Sequence, residues 1–211
     1  ILLKSGTQTS AQGGSWWISP SYYTTGCLTG TRISIRVASN AEWSGSTGAF
    51  TVDGTGITPS ADSTYGVTDH KALISVNGLD FVELKGLSDT QRFICTDSTD
   101  HCIQVAAAYL ATNVGFRGAW WEMNNSTYGF NIGRVNNWQV SDSVAHTIAR
   151  GPWQTGFNND LLVDGGGFVN VTAHDSGCSS AGSPGCTATT GKDDQFLFLG
   201  GRNVWCVNCT S

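Results

Sequence analysis

Five stretches of the chain share one pattern of apolar and polar positions. They are ISVNGLDFVELKGL from Ile74, VAAAYLATNVGFRGA from Val105, FNIGRVNNWQVSDS from Phe130, LLVDGGGFVNVTAH from Leu161 and FLFLGGRNVWCVNC from Phe196. Each reads as a strand, a polar bend carrying Gly or Asn, and a second strand. Aligning the second strands on Val82, Val114, Trp138, Val169 and Val204 puts Val76, Ala108, Ile132, Val163 and Phe198 six residues earlier. Two residues later stand Leu84, Phe116, Val140, Val171 and Cys206. Apolar residues fill all ten positions, as expected where alternate residues point inward. Unequal spacing around a constant pattern predicts a solenoid whose loops leave on one side, with Gly or Asn at bends of positive φ. An irregular antiparallel sandwich or barrel is the alternative.

Composition agrees with strands. Of 211 residues 27 are Gly, 4 are Pro and only 13% are charged, which argues against helix bundles and against disorder. The net charge of −5 supplies no basic face, so nucleic acid is not an expected partner. No apolar run is long enough to span a membrane as a helix. The chain starts ILLKSGT, without Met or a leader, and reads as a mature or trimmed piece.

Seven cysteines bear on the compartment. Cys95 with Cys102, and Cys178 with Cys186, bracket short polar loops and are candidate local disulfides. Each ring would be worth about 2.5 kcal/mol in the loop-entropy account. Such pairs suit an oxidising, extracellular setting. The CVNC stretch has metal-type spacing but no second half, and Cys206 also reads as a small inward apolar residue.

On FTVDGTG (from Phe50), GGFVNVTAHDSG (from Gly166) and DDQFLFLGGRNVWCVNCTS (from Asp193), the chain resembles the pectin-lyase-like superfamily of right-handed parallel β-helices. The opening segments ILLKSGT and RISIRVAS are similar to the first coils of bacterial members. The resemblance covers most of the chain. It implies an all-β, right-handed parallel β-helix as a single domain over residues 1–211. Residues 1–65 would form opening coils, residues 66–211 regular coils, and both ends would be cut or covered. It further implies a secreted, cell-surface or virion-surface protein that binds or cleaves polysaccharide.

For a family lyase, a basic residue removes the proton beside a uronate carboxylate and Ca2+ can neutralise that carboxylate. Lys71, Arg134, Arg150 and Lys192 are candidate bases; Asp160, Asp164, Asp193 and Asp194 are candidate Ca2+ ligands. The calcium pectate lyase signatures are absent. For a hydrolase, Asp193 and Asp194 resemble the paired aspartates of the polygalacturonase group, whose companion motifs are missing. The reading therefore names Asp194, Asp193, His174 and Lys192 as catalytic candidates, with lyase ahead of hydrolase. Asp164, Asn158, Asn159, Arg150 and Trp121 are sugar-binding candidates. His146 and His174 are expected on adjacent coils, either as an acid–base pair with Asp175 and Arg150 or as a stacked polar ladder. A polar column of Lys71, Thr127, Asn158–Asn159 and Asp193–Asp194 is expected before the first strand of each coil. The other class is a structural or adhesive module, a tailspike or fibre segment that self-associates through uncapped ends.

Overall fold

The computed structural model describes residues 1–8, 15–18, 32–60, 71–106, 113–156, 163–176 and 195–211. Among them are nineteen strands and no α-helix. Every ladder between the strands is parallel. The strands form two sheets of nine and ten.

The chain visits the sheets in rotation. From Val82–Lys85 in the first sheet it enters the second at Phe93–Thr96, occupies it again at His101–Ala106, and returns to the first at Asn113–Val114 and then Arg117–Ala119. That last strand pairs with Val82–Lys85, one circuit earlier. In the next circuit Trp121–Gly133 is one long strand. Its first part pairs with Phe93–Thr96 and its later part with His101–Ala106. Val144–Thr155 repeats this arrangement beside it, with a bulge between Tyr128 and Phe130.

Bends between these faces fall on stacked left-handed residues. One row is Asp97, Asn125, Thr147 and Asp175; another is Trp120, Asp142, Asn170 and Asn208. Asn170 Nδ2 donates to Asp142 Oδ1 at 3.0 Å and Asn208 Nδ2 to Asn170 Oδ1 at 3.0 Å. Asn125 makes the same contact with Asp97. Asn and Asp tolerate positive φ because their short polar side chains bond locally. Trp120 at φ 56° and Thr147 at φ 54° depart from the Gly-or-Asn expectation.

The core is a continuous apolar column. Phe116, Trp121, Phe130, Trp153, Trp138 and Phe168 meet edge-on or tilted along it. The register aligns Leu84, Gly118, Val140, Phe168 and Cys206. The expected row of inward positions is thus corrected at two of its five members. Phe116 and Val171 are buried in the core as expected, but Gly118 takes the place of Phe116 in this row: a Cβ on it would lie 2.3 Å from the Trp121 ring, so a small residue admits the large one. Phe168, not Val171, occupies the next place after three glycines. On the earlier strands, Val76, Val105, Ile132, Thr155 and Phe198 align. Val163 belongs to the first sheet instead, opposite Gly201. Ala108 lies outside the described residues.

The expected cysteine pairing also changes. Cys95 and Cys102 are both free and fully buried. The Cys102 thiol donates to Cys95 O at 3.3 Å and lies 3.2 Å from Ser126 Oγ. Burial pushes the Cys95 thiol well above its ordinary range, and contact with Cys102 adds to this. Cys206 is joined instead to Cys209, and its position at the last circuit leaves it exposed. Cys178 and Cys186 lie outside the described residues.

Candidate functional site: a polar strip on the second sheet

Alternation decides which side chains reach the outer face. In Trp121–Gly133 the residues Trp121 and Met123 are buried, so Glu122 and Asn124 face outward. The parallel register then sets Asn124, His146 and His174 side by side on three successive strands. The imidazoles of His146 and His174 stack with centroids 5.2 Å apart and planes 7° from parallel.

Carboxylates flank the pair. Glu122 Oε1 lies 3.3 Å from His146 Nε2 and accepts from Asn124 Nδ2 at 2.9 Å. Asp175 Oδ2 lies 2.8 Å from His174 Nδ1. That contact selects one tautomer of His174 and leaves Nε2 directed away from Asp175. The His174 side chain is 48% exposed and that of His146 29%, so both are open to a ligand from solvent.

The hydrogen bond with His146 is the main reason that the Glu122 carboxyl titrates below its ordinary range. Partial burial opposes it, while Asn124 and the charges of His146 and Arg92 assist. A depressed carboxylate contributes stability that is present above its unfolded value and is lost as pH falls through its folded value. Unfolding free energy is therefore expected to drop as pH falls below about 4.3. The part due to Glu122 is under about 1 kcal/mol, because the pair is partly solvated. Denaturant titrations of the wild type and His146→Gln between pH 6 and 3 check this. An identical pH slope in the two proteins would count against the pairing.

Several expected site residues lie elsewhere. Trp121 is fully buried and donates its indole N–H to Leu84 O at 2.9 Å, so its ring lies in the core and not on the outer face. Its half-buried neighbour Trp120 takes the bend. Arg150 joins a separate column of His101, Tyr128 and Arg150. It donates to Tyr128 Oη at 3.2 Å, and His101 stacks on the Tyr128 ring at 4.6 Å. Asp164 sits in the first sheet, opposite Asn136 and Arg202, and accepts from Asn203 Nδ2 at 3.0 Å. Lys71 and Thr127 precede the registered residues Ala72 and Tyr128, on either side of Asp100. Asn158, Asn159, Asp160, Lys192, Asp193 and Asp194 lie outside the described residues. Among the described residues no three His, Cys, Asp or Glu side chains converge to hold a metal. No described helix is long and apolar enough to cross a membrane.

Glu122 and Asn124 were not singled out by the sequence pattern. The available signal was the alternation WEMN itself, which sets them two apart on one face. No family model, curated protein or solved structure matches the chain.

Proposed function

We propose that the chain is a right-handed parallel β-helix acting in an extracellular or surface setting, where it engages polysaccharide. Rotation of the chain through its parallel ladders supports the helix, since parallel crossovers are almost always right-handed. The Cys206–Cys209 disulfide supports an oxidising compartment.

One observation carries the function: the outward strip of Glu122, Asn124, His146, His174 and Asp175. Parallel strands repeat about every 4.8 Å, so an extended sugar chain crossing them meets a polar group on each. In the lyase form of this reading His174 is the base. Its free ring nitrogen takes the proton beside a uronate carboxylate, the electron pair forms a carbon–carbon double bond, and the glycosidic oxygen leaves with a proton from water.

The test is a panel of neutral and acidic polysaccharides, read by binding and by the near-ultraviolet absorbance of unsaturated products. Binding is expected to weaken at least tenfold in His146→Ala with His174→Ala, and the product to vanish in His174→Ala. Loss of product in Asp194→Ala but not in His174→Ala would move the catalytic centre off the strip. Failure of every polysaccharide to bind would overturn the reading.

A further inference from the structure

We infer that the stacked pair His146 and His174 binds a divalent transition-metal ion, Cu2+ foremost, through the two imidazole Nε2 atoms. The site lies on the same strip as the reading above but needs no sugar, since the chain's own nitrogens hold the ion.

The two rings present the same edge. His146 Nδ1 lies 3.3 Å from Thr147 Oγ1, and His174 Nδ1 lies 2.8 Å from Asp175 Oδ2. Thr147 and Asp175 each follow their histidine directly and occupy the same left-handed bend row. The ring planes are 7° from parallel. Both Nε2 atoms therefore stand on the opposite edge, side by side. Glu122 marks that edge, with Oε1 at 3.3 Å from His146 Nε2.

In His174 the proton already sits where an ion needs it. Asp175 accepts from Nδ1–H, which leaves the Nε2 lone pair for the metal. In His146 the Glu122 carboxylate accepts from Nε2–H. An ion takes that position, and the proton moves through solvent to Nδ1, where Thr147 Oγ1 accepts it. The imidazole stays neutral throughout.

Two nitrogens bound to one ion at about 2.0 Å stand no more than about 4 Å apart. The ring centroids are 5.2 Å apart, so the Nε2 edges must close by roughly 1 Å. His174, the more exposed of the two, is the ring that tilts. Two imidazoles hold the ion and water fills its other positions, as befits a place where no three ligand side chains converge among the described residues.

The surroundings suit a cation. Each imidazole has a carboxylate beside it, Glu122 or Asp175, and the chain carries a net charge of −5. The guanidinium whose charge reaches Glu122 is that of Arg92, which is paired with Asp89. Donor type then selects the ion. Neutral imidazole suits Cu2+, Ni2+ and Zn2+, with Cu2+ bound most tightly, whereas Ca2+ and Mg2+ require oxygen ligands.

The test is calorimetric titration of the full chain, without polysaccharide, with Cu2+, Ni2+, Zn2+ and Ca2+. Electron spin echo spectroscopy of the Cu2+ form counts the bound imidazoles. One tight Cu2+ per chain is expected, held at least tenfold more strongly than Ni2+ or Zn2+, with two imidazoles in the echo modulation and no competition from Ca2+. His146→Gln and His174→Gln are each expected to weaken Cu2+ at least tenfold and to leave one imidazole. Asp175→Asn keeps both ligands but loosens the His174 ring, and is expected to weaken Cu2+ about tenfold with two imidazoles retained. The count in the wild type needs no variant, so misfolding of a variant does not hide the answer. A single imidazole in the wild type overturns the inference, as does either glutamine variant binding Cu2+ like the wild type, or displacement of Cu2+ by Ca2+. With no polysaccharide present, failure here is separate from failure of the sugar panel.

Discussion

Phe168→Ala is expected to lower the unfolding free energy by about 4 kcal/mol, at the upper end of large-to-small core changes. Phe168 is fully buried at the centre of the aromatic column. Its ring meets Phe130, Trp138, Trp153, Phe196 and Phe198 at centroid distances of 5.2 to 6.3 Å. These partners come from three different strands and one neighbouring bend, so no single movement closes the cavity left behind. Backbone ladders on both sides also limit collapse, since Val140 and Cys206 flank Phe168 in register. Urea titration followed by tryptophan fluorescence measures the loss. A cost below about 1.5 kcal/mol would mean that the column repacks, and that the last circuit is not anchored through this ring.

Gly129→Ala is expected to cost about 3 kcal/mol by a different route, overpacking against backbone. The φ of Gly129 is not in the left-handed region, so conformational freedom is not why glycine stands there. Space is the reason. A Cβ would lie 2.2 Å from Pro152 O, in the bulge where Tyr128 pairs with Arg150 and Phe130 with Trp153. A carbonyl in a bulge cannot swing aside as a flexible side chain can, so the two long strands must separate locally. The expected signature is a lower denaturation midpoint together with altered tryptophan fluorescence, because Trp153 follows Pro152 directly. Unchanged stability would show that the bulge has slack. Gly48→Ala is the matched comparison, with nothing within 4 Å of its added Cβ, and is expected to change little.

Much of the strand pattern was legible in the amino-acid order because strand period and apolar spacing coincide. Leu84, Val140 and Cys206 fall in one register row, and Val76, Ile132 and Phe198 in another, as the aligned segments imply. At two places the row departs from the aligned segments because the inward residue is not apolar or not large. Gly118 vacates its place for Trp121, and Thr155 takes an inward place with no hydrophobic signal. Of the candidate site, the adjacency of His146 and His174 was legible from their positions in successive segments. The inward direction of Trp121 was not, because Trp120 adopts positive φ at a bend and alternation restarts after it. The Glu122 and Asn124 partners depend on that same restart.

The parallel register has a further consequence for how the chain reaches this state. Leu84 meets Gly118, Val140 meets Phe168 and Phe168 meets Cys206, so each strand finds its partner only after a whole circuit has closed. Closing such a loop costs entropy before any ladder forms, which makes the first circuit slow to form. Once a pair of circuits has locked around Trp121, Phe130 and Trp153, each later one is added against a ready template. The rate-limiting encounter then belongs to the aromatic middle of the molecule.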